Sequence, residues 1–251
     1  LPRGISTLSF GPTTVFGVGM DMSAIEMTRM SGPLGRVMDM GAVPGWNLPY
    51  AALVFLMWWL MMIAMMTPST APTLLLFAAL KRHGPESARA PSLAAAFLIG
   101  YLLCWAGFSL AATALQWALQ TAELFEPGMM IVTSRALSGM ILLAAGAYQF
   151  SRLKRACLKS CQSPAQFLMT HRGTGYAGAL SIGVKHGFYC LGCCWGLMAL
   201  LFVGGIMNLY WILGLALLVA AEKLLPRTAL VSHLAGVGLL IAGCLVLTTS
   251  V

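Results

Sequence analysis

Four stretches without a single charged side chain, residues 40–80, 90–122, 186–221 and 228–251, constrain this chain more than any other feature. Each is longer than the ~20 residues an α-helix needs to cross the hydrocarbon core of a bilayer. Backbone in lipid must satisfy its own hydrogen bonds, so such stretches span as helices. The composition agrees: 59% of the 251 residues are hydrophobic and 9% are charged, where a soluble domain carries about 25% charged residues. The pattern predicts an all-α, polytopic transmembrane helical bundle of about six helices, at roughly 48–80, 92–120, 128–152, 176–205, 209–225 and 228–250. Residues 1–47 read as an extracytoplasmic Met-rich loop or cap, and 48–251 as the helical domain. The 36 residues from 186 to 221 would run ~54 Å as one helix, and Gly204, Gly205 and Asn208 offer the turn that divides them. Pro68 and Pro72 each remove a backbone donor, so the first helix either continues past them with a kink or breaks there.

The net charge of +8 is unevenly placed. Lys81, Arg82 and Arg89 follow the first helix, and Arg152, Lys154, Arg155, Lys159, Arg172 and Lys185 crowd a segment with no acidic residue. Basic loops stay in the cytoplasm. These loops, with Lys223 and Arg227, therefore face inward, and both termini of this chain fall outside. The surplus reads as membrane orientation, and no nucleic-acid partner is expected. The place implied is a bacterial inner (cytoplasmic) membrane, crossed several times.

Within that frame, "KHGFYCLGCCWGLM" at 185–198 puts one histidine and three cysteines into nine positions. At ~100° per residue, His186, Cys190, Cys193 and Cys194 fall on one helical face. Cys157 and Cys161, spaced i, i+4, share a face of a juxtamembrane helix. Thiols on the cytoplasmic side stay reduced, which favours metal binding or catalysis over a structural disulfide. Thiolate and imidazole suit copper(I), with zinc as the alternative. Glu222, in "AAEKLLP", is a further candidate as a ligand, as an acceptor orienting His186, or as an ion-pair partner of Lys223 or Lys185. The plain alternative for each thiol is packing as a small hydrophobe, most of all for Cys104 and Cys244. Gly183, Gly187, Gly192 and Gly196 form small-xxx-small pairs that let another helix approach, whether to share a site or simply to pack.

Of 17 methionines, 11 lie between residues 20 and 66. Met20, Met22, Met38 and Met40 lie in the outer segment, and Met61, Met62, Met65 and Met66 in the first helix. Thioether sulfur is a soft ligand suited to Cu(I), although methionine also fills irregular gaps in a core. The order sets methionines outside, methionines through the membrane, and thiols with a histidine inside.

The stretches "MMIAMMTPSTAP" (61–72), "YQFSRLKRACLKSCQSP" (148–164), "KHGFYCLGCCWGLMALLFVGGIMNL" (185–209) and "EKLLP" (222–226) resemble a bacterial family of uncharacterised function, the DUF2182 proteins, described as predicted metal-binding integral membrane proteins. The resemblance covers most of residues 50–245 and implies a metal-binding membrane protein. Members usually carry one more helix before the outer segment. A chain that starts at Leu1 without it is expected to have a processed or truncated start. Where relatives read Thr-Pro, this chain has Ser151 and Arg152, so a softer break is expected after the third helix.

Three functions remain open on these residues. The leading one is a non-enzymatic Cu(I)-binding protein acting in copper transport or in delivery to a membrane complex, with a metallochaperone or other membrane subunits as partners. The second is a membrane thiol/disulfide oxidoreductase built on the Cys190-Leu-Gly-Cys193 pair. The third is an accessory or scaffold subunit of a larger complex, with Trp58, Trp59, Trp105 and Trp195 facing lipid or a neighbour. No phosphate-binding Gly-x-x-x-x-Gly-Lys run is present, so an intrinsic ATP-driven pump is not expected.

Overall fold

The computed structural model describes residues 46–126, 130–225 and 228–249. Met20, Met22, Met38 and Met40 lie outside the described residues. Helix α1 (Leu48–Arg82) leads through a 3-10 turn (Ser87–Arg89) into α2 (Ala90–Thr121). A two-stranded antiparallel hairpin follows, β1 (Phe125–Glu126) on β2 (Ile131–Val132). Then come α3 (Arg135–Gln149), α4 (Arg152–Gln162), α5 (Pro164–Thr170), α6 (Gly175–Ala199), α7 (Leu201–Gly204), α8 (Leu209–Leu224) and α9 (Thr228–Thr248). Among the described residues, four helical stretches are long and apolar enough to cross a membrane: Leu48–Arg82, Ser87–Thr121, Gly175–Gly204 and Ala229–Thr248. The all-α polytopic bundle is therefore the fold.

Its details depart from the sequence expectation at three places. The third helix begins at Arg135 and not near 128, because the hairpin takes up the preceding residues and Ser134 caps the helix by accepting from Leu137 N. At 15 and 16 residues, α3 and α8 fall short of the ~20 that cross a full hydrocarbon core. The softer break expected after the third helix is a clean one. Phe150 ends α3, and the Ser151 hydroxyl caps α4 by accepting from Lys154 N at 3.0 Å.

Helix α1 runs unbroken through Pro68 and Pro72. Both rings lie on its exposed face, and spans tolerate proline where neighbouring groups re-satisfy the backbone. Beside the first of them, Met66 O accepts from Ser69 Oγ at 2.9 Å and from Tyr101 Oη at 3.2 Å. The turn between α7 and α8 falls where the glycines allow it. Gly205 adopts φ +84°, a left-handed conformation that glycine takes without strain, and the Asn208 side chain caps α8 through Trp211 N.

Helices α2 and α6 pack backbone to backbone. A Cβ on Gly183 would stand 2.0 Å from Phe97 O, and one on Gly100 would stand 2.3 Å from Leu180 O. This contact brings α6 against the bundle, and Gly192 does the same toward α4, where a Cβ would meet Cys157 Sγ at 2.7 Å. The core formed there is aromatic and sulfur-rich: Trp58, Met62, Met66, Tyr101 and Trp105 are fully buried. Trp58 and Trp105 thus do not face lipid or a neighbour, because they pack inward from α1 and α2. Trp195 is exposed.

The end of α1 is clasped to the start of α6. Lys81 pairs with Glu86 and donates to Gly173 O at 3.0 Å, while Glu86 Oε1 accepts from Gly175 N at 2.8 Å. The Lys81 hydrogen bond, with the Gly175 N–H, holds the Glu86 carboxyl below its ordinary 4.5. A depressed carboxyl contributes stability above its unfolded pKa and loses it as the pH falls through the folded one. The clasp is therefore expected to persist down to about pH 4.5 and to loosen only below it, followed through the Gly175 amide resonance in an acid titration. Glu86→Gln removes that titration.

Candidate metal centre

The middle of α6 presents its thiols to the bundle because two helices close on it from either side. Cys190, Cys193 and Cys194 are each about 1% exposed. The Cys193 and Cys194 thiols both donate to Cys190 O, at 3.0 Å each, which turns their sulfur atoms back toward the Cys190 turn. From α4, the half-buried Cys161 brings a fourth thiol close to Cys190 and Cys193. From α1, the Met66 thioether lies 4.0 Å from Cys194 Sγ. Three buried thiols and one thioether thus gather around the Cys190 turn, with the half-buried Cys161 beside them.

Two further side chains converge there. The Lys223 ammonium of α8 lies 3.0 Å from Cys190 Sγ, 3.1 Å from Ser69 Oγ and 3.9 Å from Met66 Sδ. Tyr101 Oη lies 3.1 Å from the same Cys190 sulfur. A buried ammonium needs an opposite charge or several acceptors. Here it finds soft sulfur acceptors that would equally suit a soft metal ion.

The remaining candidates sit around this group. His186, one turn before Cys190, is buried in an aromatic box, with ring centroids 5.0 Å from Phe167, 5.9 Å from Phe97 and 5.8 Å from Tyr101. Its Nδ1 has no hydrogen-bond partner. Cys157 lies against Gly192 on the same face of α4 as Cys161. Burial, with Cys193 close by, raises its thiol pKa above the ordinary value. Glu222 neither touches His186 nor pairs with Lys223. Its carboxylate accepts from Lys154 at 2.7 Å and from Ser232 at 3.1 Å, with the Lys154–Glu222 pair almost wholly buried. Met62 and Met65 are buried in the same core and Met61 is partly buried, so the methionine stripe faces the interior. Cys104 lies beside Gly187 between α2 and α6, and Cys244 is exposed on α9.

Among the described residues, no three His, Cys, Asp or Glu side chains stand as a ready-made ligand set. The thiols around the Cys190 turn and the Met66 thioether stand near one another without forming such a set. Thiolate and thioether suit soft or borderline ions such as Cu(I) and zinc, and their burial keeps water away. The residues present fit a soft, monovalent cargo better than a hard divalent one.

A profile of the PpoB2 family, described as a copper chaperone, matches residues 55–246. This chain belongs to that family. The matched region contains the whole sulfur cluster, Lys223 and the Lys154–Glu222 pair. Comparison with curated proteins and with solved structures found no match. For a PpoB2 family member, the copper-related character foreseen from the thiols and methionines stands.

Sequence reasoning noted Lys223 only as a neighbour and ion-pair partner of Glu222, and did not pick out Lys154 or Tyr101 as parts of the site. The available signals were a lone tyrosine in an apolar helix and the Glu222–Lys223 step. Neighbours on a helix diverge by ~100°, so that dipeptide sends its two charges to different partners, one to Lys154 and one to Cys190.

Proposed function

We propose that this chain binds one Cu(I) ion at the cluster of Cys161, Cys190, Cys193, Cys194 and Met66, and delivers it to a membrane complex or partner protein. The observation that carries the proposal is the gathering of the Cys193, Cys194 and Cys161 thiols and the Met66 thioether around the Cys190 turn, where the buried Lys223 ammonium meets Cys190 Sγ and Met66 Sδ. Cu(I) placed among these sulfurs would replace the positive charge that Lys223 supplies, so Lys223 has to withdraw as the ion enters. Tyr101 and Ser69 remain as polar neighbours for the displaced amine. His186, one turn along α6 with an unpartnered nitrogen, is a further ligand within the same helix. Cys157 and Glu222 shape the site: Cys157 seats α4 on Gly192, and Glu222 anchors α8 to α4.

The outer methionines Met20, Met22, Met38 and Met40 would capture the ion, and Met61, Met62, Met65 and Met66 would pass it along the interior face of α1. In this reading the chain lies in a bacterial inner membrane with both termini outside, and the basic ends of α4 and α8 set the cytoplasmic side. The test is elemental analysis of protein purified in detergent under anaerobic conditions without added metal. About one copper per chain is expected, absent from the Cys190→Ser/Cys193→Ser variant. Equal copper in both proteins would overturn the proposed site.

One contact favours a second reading, thiol–disulfide exchange. An ammonium 3.0 Å from Cys190 Sγ stabilises a thiolate. In that reaction Cys190 and Cys193 lose two electrons and two protons to a quinone as they form a disulfide. A mixed disulfide trapped between Cys190 and a partner would support it. A pair that stays reduced under quinone turnover would end it.

A further inference from the structure

Behind the Lys154–Glu222 pair, between α4 and the start of α9, a cavity of about 180 Å³ opens to the surface. A single water needs only ~10–15 Å³ by this kind of measure, so the space is sized for a group of several heavy atoms. Its wall carries three cationic side chains and no acidic one: Lys154, Arg155 and Lys159. Glu222 already neutralises Lys154. Arg155 and Lys159, spaced i, i+4 on the exposed side of α4, have no carboxylate partner on that wall. Opposite them stands His233 of α9, whose Nδ1 is held by Ala229 O, which leaves Nε2 free for the cavity.

The deciding observation is Gln149. It lies on the same wall, is 3% exposed, and neither its amide nitrogen nor its amide oxygen has a hydrogen-bond partner. Buried polar groups are almost always satisfied, and an orphan in a native core calls for a ligand, ion or water. An orphaned amide nitrogen next to two cations that have no carboxylate partner among the described residues describes a site for an anion with several acceptor oxygens. Arg and Lys at the polar edge of a helix bundle recognise phosphate through charge-assisted bonds.

We infer that the cavity between α4 and α9 is a phosphate-binding site, held by Arg155 and Lys159 at its mouth and by the Gln149 amide at its base. It lies apart from the sulfur cluster and does not depend on copper binding. Two sources supply this chemistry, the headgroup of an anionic phospholipid and free phosphate. Bound there, the anion would tie α4 to α9 across the Lys154–Glu222 pair.

The test uses the whole chain in detergent. Native mass spectrometry compares dioleoylphosphatidylglycerol with dioleoylphosphatidylcholine, and thermal unfolding is followed with and without inorganic phosphate. Each measurement is made on the wild type, on Arg155→Gln/Lys159→Gln and on Gln149→Leu. Arg155 and Lys159 are exposed, so their replacement leaves folding intact. Retention of one phosphatidylglycerol in preference to phosphatidylcholine, weakened about 30-fold in the double variant, assigns the site to a lipid headgroup. A rise in unfolding temperature with phosphate that both variants lose, with no lipid preference, assigns it to free phosphate. Absence of both effects, or binding unchanged in both variants, overturns the inference.

Discussion

Replacing Cys190 by serine is expected to weaken Cu(I) binding more than about 100-fold, beyond what the loss of an outer-shell partner costs a metal site. Cys104→Ser and Cys244→Ser should leave it within about twofold. Cys190 stands apart from the other thiols because side chains of α2, α4, α6 and α8 reach it. Lys223 and Tyr101 contact its sulfur, Cys193 and Cys194 donate to its carbonyl, and Cys161 touches its thiol from α4. Serine keeps the size and the polarity but offers a hard oxygen where Cu(I) needs soft sulfur. Competition titrations against a Cu(I) chelator under anaerobic conditions measure the loss. A Cys190→Ser variant with wild-type affinity would place the metal elsewhere.

The second large effect concerns the scaffold. Lys154→Met alone leaves the Glu222 carboxylate buried with Ser232 as its remaining side-chain partner. Breaking a buried ion pair from one side costs ~3–5 kcal/mol. The double change Lys154→Met/Glu222→Leu removes both charges and is expected to restore most of that stability, since an apolar pair of similar volume is often neutral or better. Unfolding temperatures of the two variants check this. The single variant should unfold well below the wild type and the double variant near it. Equal destabilisation by both would mean that shape, and not charge, holds α4 to α8.

These two predictions draw on different depths of the sequence. The thiols of α6 were legible because one helix carries them: the spacing 190, 193, 194 fixes a common face at ~100° per residue whatever the neighbours are. Cys161 was half legible, since its spacing from Cys157 puts both on one side of α4 without saying which of them reaches α6. The structure separates them, with Cys157 seated on Gly192 and Cys161 at the thiols. The methionine stripe named four candidates, and tertiary packing brought Met66 among them to the cluster. Lys223 was beyond reach of local reasoning, because its partners lie on α1 and α6 and no periodicity relates α8 to either.

The same division holds for the fold. Long uncharged runs placed α1, α2 and α9 close to their observed ends, while the helix expected over 176–205 is α6 and α7 together. The short α3 starts later than the expected 128 because pairing of 125–126 with 131–132 and the Ser134 cap are set by contacts that helical periodicity does not show. The scaffold reading turns Trp58 and Trp105 toward lipid or a neighbour, yet tertiary packing buries them. Trp58 even finds a hydrogen-bond acceptor in Gln116 at 2.9 Å, as a buried indole normally does.

Whether copper sits among sulfurs is decided by copper-edge X-ray absorption on the Cu(I)-loaded protein. The expected spectrum is that of a reduced copper whose nearest shell is sulfur, from at least two thiolates with Met66 as a further donor. A shell dominated by nitrogen or oxygen, or a spectrum unchanged in Cys190→Ser, would contradict it.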